Sequence, residues 1–99
     1  MNSYKQDILA HICYTDLVYE RINKKLSLNL SRDKIEKLIF EIIKQTDEAK
    51  FQKTGKNIYV TNNIRNTRLT INSYTYRIIT ADKLTKSDVQ PNGDEYVLD

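Results

Sequence analysis

Residues 55–83 read GKNIYVTNNIRNTRLTINSYTYRIITADK, and this stretch decides the fold. Apolar and polar side chains alternate strictly from Asn57 to Thr61 and again from Thr67 to Asn72. Period-two alternation that is rich in β-branched and aromatic residues predicts half-buried strands. A further run, Tyr74–Ala81, predicts a third strand. Between the first two runs lie Asn62, Asn63 and Asn66. Asn tolerates the left-handed backbone of tight turns, so these residues predict a hairpin turn.

Upstream of this stretch, Ala49–Lys53 is a candidate first strand, and Gly55 supplies the turn after it. The segment before it carries apolar residues at three- and four-residue steps, which predicts amphipathic helices. The clearest helix runs from Ser31, a good N-cap, to about Gln45. The segment up to Leu26 is either one helix or two helices with a break near Tyr14.

These elements predict an α+β domain, with two N-terminal helices packed on one face of a three- to four-stranded antiparallel meander sheet. One face of such a sheet is apolar and needs a cover, whereas the other can face water. With 99 residues in the chain, we expect a single α+β domain over residues 1–84 and an acidic, flexible tail over residues 85–99. We expect a monomer or a homodimer, because the core is modest.

The composition also bears on where the protein acts. No apolar run approaches the roughly 18 residues of a membrane span, and the first residues lack the pattern of a signal peptide. A single cysteine cannot form an internal disulfide, which fits a reducing compartment. We therefore expect a protein of the bacterial host cytoplasm with no membrane contact.

Charge is distributed unevenly along the chain. Residues 49–81 contain six basic residues and no acidic one, residues 1–48 are balanced, and residues 82–99 have a net charge of −3. The basic segment coincides with the predicted sheet, whose solvent side should show Tyr59, Thr61, Arg68, Thr70, Asn72 and Arg77. The residues that we expect to contact a partner are Lys56, Tyr59, Arg65, Arg68, Tyr76 and Arg77.

The chemistry of these six residues suits more than one partner. Tyr and Arg are favoured anchors at protein interfaces. They also suit nucleic acid, because cations neutralise phosphates and tyrosine rings stack on unpaired bases. A solvated sheet face without a partner is the third interpretation.

His11 and Cys13 are the only residues of their types, and zinc is the metal that such ligands favour. Residues two apart on a continuous helix point in nearly opposite directions, so a shared ion requires a break near Tyr14 or a second copy of the chain. The alternative is a core-facing cysteine and a partly exposed histidine.

No residue is identified as catalytic, and whether the protein is an enzyme stays open. His11 and Cys13 are poorly spaced for a nucleophile and its base. The alternative is a site that imitates the Arg-, Tyr- and Lys-containing sites of small ribonuclease toxins, which act through electrostatic stabilisation without a strong base. Its candidate residues are Arg65, Arg68, Arg77, Tyr74 and Tyr76.

Three blocks of sequence carry a family resemblance: YTDLVYERI at residues 14–22, GKNIYV at residues 55–60 and TINSYTYRIITA at residues 70–81. Over residues 14–84 the chain resembles a family of small bacterial and prophage proteins that is catalogued as a domain of unknown function. The resemblance implies no established activity and carries over no site residues. Some phage proteins of this size are anti-CRISPR proteins, which bind a Cas nuclease and block its use of DNA.

We therefore expect a non-enzymatic phage or mobile-element protein that binds a larger host protein. The expected target is a nucleic-acid enzyme, such as a CRISPR nuclease inhibited by an anti-CRISPR protein. The alternative is an RNA-binding protein, or a ribonuclease-type toxin of a toxin–antitoxin pair, that uses the same basic sheet face on nucleic acid.

Overall fold

The helices occupy the first half of the chain and the strands the second. A computed structural model describes residues 4–84. The helices are α1 (Tyr4–His11), α2 (Val18–Leu26) and α3 (Arg32–Gln45), and a 3₁₀ turn, Glu48–Lys50, precedes the strands β1 (Phe51–Thr54), β2 (Asn57–Asn62), β3 (Thr67–Asn72) and β4 (Ile78–Lys83). The strands pair antiparallel in chain order. The α+β meander is thus confirmed, while the tail predicted for residues 85–99 lies outside the described residues.

The segment before α3 forms two helices, which is the alternative with a break. α1 ends at His11, and the link that follows joins the sheet next to β4. The backbone of Cys13 accepts a hydrogen bond from Ile78 N and donates one to Tyr76 O, each at 3.0 Å. The break therefore lets the α1–α2 link extend the sheet by one backbone bridge.

Helix α3 follows its sequence pattern closely. The Ser31 side chain accepts a hydrogen bond from Lys34 N at 3.4 Å, which caps the helix as predicted. Four of the side chains that recur at three- and four-residue steps are buried: Ile35, Ile39, Ile42 and Ile43. They form the centre of the core, because the helix lays this stripe on the sheet.

The sheet contributes its apolar side to the same core. Ile58, Val60, Leu69 and Ile71 are buried and belong to one cluster with the buried residues of all three helices. Asn62, which the sequence assigned to the turn, is instead the last residue of β2 and is buried. The hairpin turn itself spans residues 63–66, as expected.

Strand β4 begins later than predicted. The Asn72 side chain accepts hydrogen bonds from Tyr74 N at 2.8 Å and Thr75 N at 3.0 Å, which holds residues 73–75 in a turn. Along the outer edge of β4, Arg21 of α2 donates a hydrogen bond to Ile79 O at 3.3 Å. The helix α2 thereby protects an edge that would otherwise expose unpaired backbone groups.

None of the helices within residues 4–84 has the length and apolarity needed to cross a membrane.

Candidate functional site

The sheet has one face packed on the helices and a second face that no element covers within residues 4–84. Side chains alternate along a strand, so the neighbours of the core residues point to this second face. We call it the open face, and it comprises Gln52, Thr54, Asn57, Tyr59, Thr61, Arg68, Thr70, Asn72, Thr80 and Asp82.

The centre of the open face is a row of side chains that crosses all four strands. Gln52 pairs with Tyr59, Tyr59 with Thr70, and Thr70 with Thr80. Thr70 was expected to face solvent, yet only 8% of it is exposed, because its neighbours close over it. The row therefore forms a closely packed surface of hydroxyl and amide groups with a tyrosine in its middle.

The open face carries charge of both signs. Arg68 lies directly opposite Asp82 across β3 and β4. The Asp82 carboxylate also forms an ion pair with Lys25 of α2 at 3.2 Å. Counting charges along the sequence had grouped Asp82 with the acidic tail, whereas the structure places it in β4. The face is consequently mixed in charge rather than uniformly basic.

Two buried polar atoms on this face lack a hydrogen-bond partner within the described residues. They are Asn57 Oδ1 and Thr80 Oγ1. The Asn57 amide nitrogen lies 3.5 Å from the hydroxyl of Tyr59. Such unsatisfied atoms are rare in folded proteins. Both of these atoms belong to the open face, which distinguishes it from the side of the sheet that packs on the helices.

Three of the six predicted contact residues lie on the open face or at its end. Tyr59 and Arg68 are part of it. Lys56 is exposed in the β1–β2 turn, where its carbonyl accepts hydrogen bonds from Ser73 N at 2.8 Å and Ser73 Oγ at 2.9 Å. These bonds join two turns at the same end of the sheet, which places Lys56 beside the face.

The other three predicted residues are held elsewhere. Arg65 is in the β2–β3 turn, and its Nε donates to Gln45 Oε1 of α3 at 2.9 Å. Tyr76, whose φ is 59°, packs against the core, and its ring centroid lies 5.5 Å from that of His11. Arg77 is exposed just before β4, beside Cys13. The structure thus does not gather all six residues on one face, and their role in binding stays a prediction.

The predicted zinc site is not assembled in the described part of the chain. His11 ends α1 and Cys13 follows the break, as a shared site would require. However, no group of three or more His, Cys, Asp or Glu side chains within residues 4–84 is placed to hold a metal ion. The Cys13 thiol instead lies 3.5 Å from Thr75 O, and it is exposed rather than directed into the core.

An aromatic cluster between the α1–α2 link, α2 and α3 was not foreseen from the sequence. The rings of Tyr14 and Tyr19 stack with centroids 5.6 Å apart. The Tyr19 hydroxyl donates to Glu36, and Arg32 lies 4.6 Å over the Tyr19 ring. Arg32 also pairs with Asp16 at 3.3 Å. Helical spacing carries no signal for this cluster, because its members come from separate elements.

Both tyrosines of this cluster hold their protons strongly. Partial burial, together with the hydrogen bond to Glu36, raises the pKa of Tyr19 from 10.0 to about 12. Burial and the nearby Glu36 carboxylate raise the pKa of Tyr14 well above its ordinary value. Phenols shifted in this direction are poor bases or nucleophiles at neutral pH. The contacts of the cluster join the α1–α2 link, α2 and α3.

Comparison with known proteins places the chain in a family. The family model described as "Protein of unknown function (DUF3781)" matches residues 6–82. No curated protein and no solved structure matches the chain. The matched range spans most of the described residues, including every strand except the last residue of β4.

Proposed function

We propose that this chain, which belongs to the DUF3781 family, is a non-enzymatic binding protein that docks its open face on a larger protein. The observation that carries the proposal is the four-strand row from Gln52 to Thr80, which lies on a face that no element covers within residues 4–84. A rigid sheet presents such a row with little loss of side-chain freedom on binding, which favours affinity.

The chemistry of the row fits a protein partner. Tyr59 offers an aromatic ring with a polar tip near the centre of the face, and Arg68 of β3 lies diagonally across from it, in the neighbouring row. Tyrosine and arginine are enriched among the residues that dominate protein interfaces. The unpaired acceptors of Asn57 and Thr80 add hydrogen-bonding capacity that a partner's donors can satisfy after small side-chain movements.

The charge of the face argues against a phosphate-binding surface. The open face itself holds one arginine, Arg68, opposite one carboxylate, Asp82, and Lys25 of α2 also reaches that carboxylate. Proteins that bind nucleic acid without sequence preference rely on grooves of positive potential. The other cations of the basic segment lie at turns and edges of the sheet, as Lys56 and Arg65 show. We therefore favour a protein partner over RNA or DNA.

The partner class that we propose is a host nucleic-acid enzyme, for example a CRISPR nuclease inhibited by a phage-encoded protein. This part of the proposal is supported by the small size of the chain and by the resemblance to prophage proteins, and by no geometric feature. A ribonuclease-type toxin is the competing function, and it requires RNA as the direct ligand.

The test is affinity capture on the immobilised full chain from the lysate of its host bacterium, with and without nuclease treatment. We expect a protein partner that survives nuclease treatment, that is lost with Tyr59→Ser and that is kept with Tyr74→Ser. Tyr74 is a matched control, since it is 74% exposed in the β3–β4 turn, off the open face. Loss of an anchoring aromatic residue at an interface centre costs about 2 kcal/mol or more, which is roughly a thirtyfold loss of affinity.

Two outcomes would contradict the proposal. Complete loss of captured material after nuclease treatment would favour the RNA-binding or ribonuclease alternative. A partner that is retained by Tyr59→Ser and Arg68→Gln but lost with Arg77→Gln would move the interface to the segment before β4.

A further inference from the structure

A groove of about 380 Å³ opens on the helix side of the sheet, at the end marked by the β2–β3 turn. This end is opposite to the β1–β2 turn that carries Lys56, since consecutive turns of a meander alternate between the two ends of a sheet. The groove lies apart from the open face, and the inference drawn from it does not depend on the proposed function.

One wall of the groove is apolar, and it is formed by Leu26, Leu28, Leu30, Leu38 and Ile42. Leu28 is 38% exposed, although it is a large aliphatic residue. The loop that carries it is held firmly: the Asn23 side chain donates to Leu30 O and accepts from Leu30 N, each at 3.0 Å. Leu28 N also donates to Asn23 O at 2.8 Å. The apolar wall is therefore formed before any ligand arrives.

The rest of the lining is polar and basic, and it is formed by Arg65, Asn66, Thr67 and Lys83. The Arg65 guanidinium is positioned by its hydrogen bond to Gln45 at 2.9 Å. The Lys83 ammonium is positioned by a hydrogen bond to Ser27 Oγ at 3.3 Å. No acidic residue lines the groove among residues 4–84, and neither cation has an ion pair with a carboxylate of that part of the chain.

We propose that this groove binds a small amphipathic carboxylate, with its apolar body against the leucine wall and its carboxylate at Arg65 and Lys83. The groove volume falls within the range of about 300–1,000 Å³ that small-molecule pockets occupy, and its lining of apolar side chains with a few polar groups is typical of such pockets. A lining that combines two cations with apolar side chains favours an anion with a hydrocarbon body. A neutral ligand would form no charge-assisted hydrogen bond with the cations, and a polyanion would make little apolar contact.

The experiment titrates the full chain with decanoate, a ten-carbon monocarboxylate, and follows binding by calorimetry and by backbone amide NMR shifts. We expect one saturable site, with the largest shifts at Leu28, Leu30 and Asn66. The double variant Arg65→Gln and Lys83→Gln should lower the affinity by about tenfold or more, because charge-assisted hydrogen bonds are lost. Lys53→Gln, at an exposed site in β1, is the matched control and should bind as the unmodified chain does. Decanol, with the same body and no charge, should bind more weakly than decanoate.

The variants replace exposed side chains, so we expect them to fold. The midpoint of thermal unfolding of each variant is measured first, so that a loss of fold is recognised before affinities are compared. Absence of saturable binding by a folded chain would overturn the proposal. So would unchanged affinity of the Arg65 and Lys83 double variant, or shifts confined to the open face.

Discussion

Asn62 and Thr46 are hydrogen-bonded to each other inside the protein, with 2.9 Å between Asn62 Nδ2 and Thr46 Oγ1. Thr46 Oγ1 in turn donates to Ile42 O at 2.6 Å, and Asn62 Oδ1 accepts from Arg65 N at 2.8 Å. These three bonds join the end of α3 to the end of β2 and to the turn that follows. They also hold the backbone of Arg65 close to α3, which brings its side chain within reach of Gln45.

We predict that Asn62→Ala destabilises the protein by about 1–3 kcal/mol, because it removes two hydrogen bonds, one of which joins two buried side chains. Urea denaturation measures the free energy of unfolding of the variant. Asn63→Ala, the exposed neighbour in the turn, is the control and should change that free energy by no more than about 0.5 kcal/mol. Equal effects of the two substitutions would contradict a stabilising role for the Asn62 network.

Gly55 has a left-handed φ of 62° at the first position of the two-residue β1–β2 turn. A Cβ added there would meet no atom within 4 Å, so the cost of a side chain would come from the backbone conformation alone. We predict that Gly55→Ala lowers the free energy of unfolding by about 1–2 kcal/mol. Lys56→Ala, the next residue in the same turn, should stay within about 0.5 kcal/mol of the parent chain. A Gly55→Ala protein as stable as the parent would show that the turn adjusts.

The raised pKa of Tyr19 should make the free energy of unfolding depend on pH in the alkaline range. Its pKa is raised from 10.0 to about 12 in the folded chain, so the folded state retains a proton that the unfolded state releases between these values. The free energy of unfolding should therefore fall as pH rises from 10 towards 12. We predict a smaller fall for Tyr19→Phe and an unchanged profile for Tyr74→Phe, measured by urea denaturation at a series of alkaline pH values. Identical profiles for all three proteins would contradict the contribution of Tyr19.

The mixed charge of the open face predicts that partner binding depends only weakly on salt. If all six basic residues of residues 49–81 neutralised phosphates, the logarithm of the affinity would fall with the logarithm of the salt concentration at a slope of about −5. With Arg68 offset by Asp82, we expect a slope of about −1 or shallower. Binding measured by calorimetry over a range of salt concentrations decides between the two. A slope near the steeper value would indicate a nucleic-acid ligand.

Several elements could be predicted from the sequence because they depend on local patterns. The apolar stripe of α3 and the cap at Ser31 depend on neighbours within a few residues, and both are confirmed. The alternation in β2 and β3 likewise identified which side of each strand is buried. The first residues of β4 were misplaced because Asn72 folds the following residues into a turn, which strand propensity alone does not reveal.

The candidate site was only partly predictable, since it depends on which residues become neighbours across strands. The alternation in the sequence correctly placed Tyr59 and Arg68 on the side away from the helices. The register of β3 with β4 shifts between Thr70 and Ile71, and this irregularity governs which β4 residue lies opposite Arg68. Counting charges along the chain therefore overestimated how basic the face is.

The sequence by itself determined the types of the main elements, the apolar sides of β2 and β3, and much of the core, because backbone propensity and hydrophobic period are local properties. Only the tertiary structure decided that Asp82 lies opposite Arg68, that Arg65 turns towards α3 and that Tyr76 packs beside His11. These contacts join residues far apart in the chain, so they are set by strand register and by packing against the helices rather than by any pattern within one segment.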